Sequence, residues 1–381
     1  MQSNFTTMIH NPFITTSYVS PEYFCDRQIE SQQLIQDILG HSNTVLISPR
    51  RMGKTGLIEY CFDQKEIKDN FNTIFIDIYS TLNLNDFVFM FGNKICKTLK
   101  SKDKKLLEMF IKVVKSIQFT VGFDESGAIN GSFGLGDIKD TQKSLEEIFQ
   151  YLEESKRPCV IAIDEFQQIA KYPEKNVEAL LRTYIQHCKN ATFIFAGSQR
   201  HILQNMFTSS SKPFYHSSNM LSLNAIPKDK YVDFASEMFA RFGKSCSKEI
   251  VANLYDLLEG HTWYLQMVLY LAFYMTEKEC SQKIIEEALQ KRVMDNEDVY
   301  ESILYGLSEK QQMVLKAIAF EGKASQIQSA GFVSKYHLTS PSSVQSAVEK
   351  LLEKDLITIE KRFYRVDDRF FAIWLRQTMA Q

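Results

Sequence analysis

No stretch of this 381-residue chain approaches the roughly 18 consecutive apolar residues that a bilayer-spanning helix needs. The first 25 residues lack the basic segment followed by an apolar one that marks a secretory leader. An excess of one charge is missing as well. With 44 basic and 46 acidic residues the net charge is −2, which excludes a chain that binds polyanions along its whole length but leaves a local basic face open. Among the seven cysteines (Cys25, Cys61, Cys96, Cys159, Cys188, Cys246 and Cys280) no two fall at CxxC or zinc-ligand spacing. An odd number of scattered thiols fits small core residues in a reducing compartment. These absences lead to the expectation of a soluble cytoplasmic protein with no membrane partner.

What the chain does have is core-forming material. Hydrophobic residues make up 44%, with 28 Phe and 17 Tyr, so global disorder is excluded. At about 150 residues per domain, the length suggests two or three domains. Over the first 220 residues, short apolar runs alternate with longer amphipathic segments, the pattern of an α/β parallel sheet flanked by helices. The expected strands are Thr44–Ile47, Thr73–Ile78, Cys159–Ile163, Thr192–Ala196 and Met220–Leu223, each the kind of run that is covered on both faces.

The first of these strands feeds Ser48-Pro49-Arg50-Arg51-Met52-Gly53-Lys54-Thr55-Gly56. A loop of this kind, ending at the start of a helix, turns backbone N–H groups and the positive helix end toward an anion. Lys54 is expected at the β- and γ-phosphates of a nucleoside triphosphate, and Thr55 at Mg²⁺. The pattern calls for glycine at its first position, where this chain has Ser48. Serine fits only if the backbone there avoids positive φ.

The third strand ends in Asp164-Glu165. Apolar residues followed by two acids are the second half of a nucleotide triphosphatase site: Asp164 holds Mg²⁺ and Glu165 polarises the attacking water. After the fourth strand, Gly197-Ser198 offers Ser198 as a reader of the γ-phosphate, provided that strand lies between the other two, with a helix N-cap as its plain alternative. Arg182 and Arg200 are candidates for a charge donated to a neighbouring subunit's nucleotide, or else solvated helix residues. Residues 117–136 alternate in the manner of a β-hairpin, with Asp124-Glu125-Ser126-Gly127 as the turn. This insertion has no assigned chemistry and would suit partner docking.

From Lys228 to about Ile303 the apolar spacing is helical, as in Tyr231, Phe234, Ala235, Met238 and Phe239, and four or five helices are expected. His261 is read there as a core or surface histidine, with a phosphate contact as the alternative. Beyond it, Ser340 as N-cap and Pro341 at the first helical position open a one-faced helix. Strands at Leu356–Ile359 and Phe363–Val366 follow, which completes the order of a winged helix. The third helix would expose Ser342, Gln345, Ser346 and Glu349, a polar but not basic face, with Lys361, Arg362 and Arg365 adding charge in the wing.

The loop Pro49–Thr55, the leading segment Phe24-Cys25-Asp26-Arg27-Gln28-Ile29-Glu30, the acids Asp164-Glu165 and Gly197-Ser198 together resemble the STAND-type AAA+ ATPases of archaea and bacteria. The partial lid motif Gly260-His261-Thr262-Trp263-Tyr264-Leu265 and the closing segment Tyr364–Trp374 are similar to that family too, with Thr262 and Arg369 standing where it has proline. The resemblance implies a P-loop NTPase domain over 1–223 with the hairpin insertion, an all-α lid over 224–303 and a winged helix over 304–381. It implies ATP or ADP with Mg²⁺ as ligands. Pro49 to Gly56, Asp164 and Arg27 would form the nucleotide site, with Thr55 and Asp164 at the metal and Lys54, Glu165 and Ser198 in catalysis. An ATP-hydrolysing molecular switch is therefore expected, acting on a protein partner or as a homo-oligomer. An ATP-controlled DNA-binding loader or regulator is the alternative.

Overall fold

A computed structural model describes residues 10–16, 18–99, 108, 119–123, 129–133, 140–360 and 362–379. The chain divides into two compact units. One is Thr16–Ile226, and the other joins the first residues, up to Thr15, to Pro227–Gln381.

Five parallel strands form the sheet of the first unit: β1 (Thr44–Ile47), β2 (Asn72–Asp77), β5 (Cys159–Asp164), β6 (Ala191–Gly197) and β7 (Asn219–Ser222). Their order is β2-β5-β6-β1-β7. All five expected strands are present within a residue or two at each end. Alternation along each strand divides the core between two faces. Phe193 and Phe195 enter one cluster with Val45, Ile47, Ile161 and Ile163. Ile194 and Ala196 enter the other with Leu46, Val160 and Ala162. The first face is aromatic: Phe166 and Phe195 have ring centroids 4.5 Å apart, and Phe207 and Phe214 are 5.1 Å apart. Burying each such ring contributes about 1.5–3 kcal/mol. Helices Leu84–Thr98, Thr141–Glu153, Val177–His187 and Arg200–Thr208 contribute to this face, and Gln28–Leu39 and Lys54–Asp63 to the other.

The hairpin insertion is β3 (Phe119–Phe123) paired antiparallel with β4 (Ile129–Phe133), in register from Phe119↔Phe133 to Phe123↔Ile129. Its expected turn, Asp124 to Gly127, lies outside the described residues.

The second unit is helical. Lys228–Arg241, Lys248–Leu257, Thr262–Met275, Gln282–Met294 and Glu297–Tyr305 come first. Two-residue strands β8 (Ser245–Cys246) and β9 (Glu279–Cys280) pair in parallel between them. Glu309–Glu321, Ala330–Lys335 and Pro341–Glu353 follow, then β10 (Ile357–Glu360) antiparallel to β11 (Phe363–Val366), and last Arg369–Met379. The N-terminal residues belong to this unit through Phe13, fully buried 5.2 Å from Phe239 and 6.1 Å from Phe273. Asn11 Nδ2 donates to the Tyr270 carbonyl at 2.8 Å. The closing segment is tied back to the helices: Arg365 meets Glu259 at 2.6 Å, and Arg369 meets Glu259 at 3.2 Å and His261 Nε2 at 3.0 Å. His261 is thus a buried residue with a guanidinium partner. No helix among the described residues is long and apolar enough to cross a membrane.

Candidate nucleotide site at the strand tips

In an open parallel sheet, ligands gather outside the carboxyl ends of the strands where the strand order reverses. Here β1 runs between β6 and β7, and β6 runs between β1 and β5. The tips of β1, β6 and β5 therefore stand side by side, with Ile47 opposite Gly197 and Ile163 opposite Phe195 in register. The loop 48–53, Ser198 and the Asp164-Glu165 pair all leave from these tips. The condition set for Ser198, that its strand lie between the other two, is met.

The loop tolerates Ser48 because the left-handed residues fall elsewhere, at Arg51 (φ 66°) and Gly53 (φ 88°). Ser48 is fully buried, and its hydroxyl donates to the Pro49 carbonyl at 2.7 Å. Gly53 caps the helix Lys54–Asp63, and Lys54, at its first position, is buried. Arg27, itself in the left-handed region, reaches the loop from outside. Its Nη2 donates to the Met52 carbonyl at 3.2 Å while Nη1 pairs with Glu30 at 3.0 Å. With only 4% of Arg27 exposed, this guanidinium fixes the loop's backbone. Phe24 stacks on Tyr60 at 4.3 Å between centroids, which fastens the leading segment to the same helix.

Across the cleft, Thr55 Oγ1 donates to Asp164 Oδ2 at 3.4 Å. Burial pushes the Asp164 carboxyl up from its ordinary range, and the nearby Lys54 ammonium offsets part of that rise. A desolvated carboxylate facing a hydroxyl is a donor pair suited to a hard divalent cation. Among the described residues no cluster of three or more His, Cys, Asp or Glu could hold a metal, so an ion here would complete its shell with phosphate oxygens and water.

Glu165, left-handed at φ 54°, turns away from the strand. Its Oε2 accepts from Ser198 Oγ at 2.9 Å, from the Ser198 backbone N–H at 3.4 Å and from Gln167 Nε2. Arg50 Nε donates in turn to Ser198 Oγ at 3.4 Å. Sequence reasoning missed Gln167. The available signal was Gly197: a Cβ there would lie 1.9 Å from Gln167 Oε1, so glycine is what lets that amide approach the strand tip. The structure thus brings together Arg50, Lys54, Thr55, Asp164, Glu165 and Ser198. Pro49, Arg51, Met52 and Gly53 lie in the loop, and Gly56 in the helix it opens. Arg182, on the helix Val177–His187, donates to Gln186 at 2.7 Å, and Arg200 opens the helix after Ser198.

The face expected to be exposed on the third winged-helix helix is so: Ser342, Gln345, Ser346 and Glu349 all point outward. Of the wing charges, Arg365 is committed to Glu259 and lies 3.6 Å from Glu360, and Lys361 lies outside the described residues.

None of the curated proteins compared with the chain matches it. Among solved structures it is similar to a Walker-type ATPase of Pyrococcus abyssi, with 17% identity, a TM-score of 0.65, and coverage of 96% of this chain and 99% of that one. It is also similar to the ORC2 protein of Aeropyrum pernix in ADPNP–ADP complexes, at 15% identity and TM-score 0.60, covering 97% and 98%. The ORC1 protein of Aeropyrum pernix in complex with DNA follows at 13% identity and TM-score 0.51, covering 93% of each chain. These likenesses establish the fold. Residues 298–377 match a family described as "Probable winged helix domain". Residues 24–268, which carry every group assembled above, match the family described as an ATPase domain predominantly from Archaea, and the chain belongs to that family.

Proposed function

We propose that this protein is a Mg²⁺-dependent ATP-hydrolysing switch of the STAND/AAA+ type. Its ATPase unit would be followed by a helical lid over 224–303 and a winged helix over 304–381. The observation that carries the reading is Thr55 Oγ1 at 3.4 Å from Asp164 Oδ2, beside the buried Lys54. Two segments 109 residues apart thereby set an ammonium, a hydroxyl and a carboxylate around one gap.

In this reading the loop's N–H groups and Lys54 hold the phosphates, and Arg27 keeps the loop in shape by bonding Met52. Thr55 and Asp164 would hold Mg²⁺, whose charge would offset that of the phosphates. Glu165 takes the proton from the attacking water. Ser198 supplies the switch. It has one hydroxyl proton, which it donates to Glu165 in this structure. A γ-phosphate oxygen competes for that proton, and giving it up frees Glu165 to orient the water. The DNA-controlled alternative gains no observation of its own, since Arg365, counted toward a basic wing, is paired with Glu259.

The test is a pair of variants measured with a fluorescent ATP analogue and by phosphate release. Lys54→Ala removes a buried charge from the phosphates and is expected to cost about 2–5 kcal/mol, or at least ~30-fold in affinity. Glu165→Gln is expected to keep binding and to lose about 100-fold or more in turnover. Unchanged affinity in the first variant, or normal turnover in the second, overturns the assignment.

A further inference from the structure

Two of the seven cysteines differ from the rest, and they lie far from the nucleotide site in sequence. Cys246 and Cys280 are register partners in the parallel pair β8–β9. Each directly precedes a serine that caps a helix: Ser247 accepts from the Ile250 N–H at 3.3 Å and Ser281 from the Ile284 N–H at 3.4 Å. The two half-sites are thus alike, a cysteine and then a capping serine at the mouth of a helix. Directly paired residues on neighbouring strands sit about 5 Å apart, within the ~4.4–6.8 Å between Cα atoms that a disulfide accepts. Each thiol faces the carbonyl of the serine that follows it, Cys246 Sγ 3.9 Å from Ser247 O and Cys280 Sγ 3.9 Å from Ser281 O.

We propose that Cys246 and Cys280 form a reversible disulfide that staples β8 to β9 and so ties together the starts of the helices Lys248–Leu257 and Gln282–Met294. The chemistry of the pair supports selectivity. The neighbouring Cys246 brings the Cys280 thiol down from its ordinary value, while Cys246 itself is pushed up, so Cys280 is the member of the pair that ionises first. Burial pushes Cys25, Cys61, Cys96 and Cys188 up to about 12 and Cys159 up to about 11, which leaves them protonated and unreactive. Both sulfurs of the pair are buried, but a ladder of two residues opens locally at little cost, which admits a small oxidant.

The oxidant class is a peroxide. The Cys280 thiolate attacks one peroxide oxygen, the O–O bond breaks, and the departing oxygen leaves as water after taking a proton. The Cys246 sulfur then attacks the sulfur of the resulting Cys280 sulfenic acid: the S–S bond forms as the S–O bond breaks, and the departing hydroxyl takes the Cys246 proton and leaves as a second water. Two thiols are oxidised by two electrons, and one hydrogen peroxide is reduced to two waters.

The experiment uses the reduced full chain, treated with a few equivalents of hydrogen peroxide, alkylated and digested with trypsin without reduction. Cleavage at Lys244, Lys248, Lys278 and Lys283 separates the two cysteines. The expected result is one linked peptide pair joining Cys246 to Cys280, and a thiol titre in denaturant that falls from seven to five. Dithiothreitol should reverse both. The oxidised chain should also unfold about 5–10 °C higher, because the link closes a long loop. The C280S variant should give no intramolecular link. The proposal is overturned if Cys246 and Cys280 are both recovered alkylated, if either is linked to another cysteine, or if C280S still yields an internal link. Wild-type mapping decides the matter by itself should C280S fail to fold.

Discussion

Gly197 and Asp164 show how individual residues of this site are constrained by what they must leave room for. Gly197 is fixed by a close approach: a methyl group there would overlap Gln167 Oε1 and press on Leu203 Cδ2 at 3.3 Å. Gly197→Ala is expected to expel the Gln167 side chain and remove its hydrogen bond to Glu165, while leaving Lys54 and the loop untouched. Turnover should fall about 10-fold, in the range of a misplaced catalytic group, with ATP affinity changed by less than ~3-fold. Phosphate release and analogue titration separate these outcomes, and loss of affinity without loss of turnover refutes the role given to Gln167. Asp164 is constrained by charge. Burial raises its folded-state pKa above the unfolded value, so its contribution to stability is fully present below the unfolded pKa. That contribution is lost as pH rises through the raised folded pKa. Above that raised pKa the ligand-free protein carries a desolvated carboxylate at a cost. Asp164→Asn should raise the melting temperature at pH 7, each kcal/mol relieved being worth roughly 2–4 °C, and should narrow the gap to wild type on acidification. Calorimetry at pH 5 and pH 7 without nucleotide checks the sign, and a lower melting temperature at pH 7 refutes it.

At the scale of elements, much was legible because local physics and fold agree. The strands β1, β5 and β6 are buried throughout, as runs covered on both faces should be, whereas β2 and β7 at the sheet edges are only partly buried; the alternation divides the buried residues between two clusters. Ser340-Pro341 marks a helix start that the structure confirms: the Ser340 hydroxyl accepts from the Ser343 N–H at 3.2 Å. Ser340→Ala should cost about 1 kcal/mol in the C-terminal unit, read as a lower urea midpoint with an unchanged slope. A loss below a few tenths of a kcal/mol means that the cap is replaced by water. What was not legible depends on pairing across long sequence separations. Strands of two residues, β8 and β9, are too short to carry a period, so the Cys246–Cys280 pairing could not be read from spacing. Arg27 belongs to the same class. Its guanidinium bonds the Met52 carbonyl 25 residues on, besides the nearby Glu30. The Lys54–Asp164 neighbourhood, by contrast, followed from strand order alone once each motif was assigned to a strand end.

For the whole molecule, the informative feature is that one unit is discontinuous in sequence. Composition gave no sign that residues 10–15 would leave the sheet domain they precede. Phe13 is nonetheless fully buried against Phe239 and Phe273, anchored by Asn11 on the Tyr270 carbonyl. The C-terminal unit therefore needs the first residues of the chain, and it cannot complete its core until synthesis has passed the whole of the ATPase unit. Truncating a ring buried to this degree costs about 3–5 kcal/mol. Both tryptophans, Trp263 and Trp374, lie in the C-terminal unit, so their fluorescence reports on that unit. Phe13→Ala should move the fluorescence-detected urea midpoint down by ~2 M, although the substitution is more than 200 residues from either tryptophan in sequence. A fluorescence transition that stays at the wild-type midpoint means that Phe13 contributes nothing to this core and that the unit is continuous from Pro227 onward.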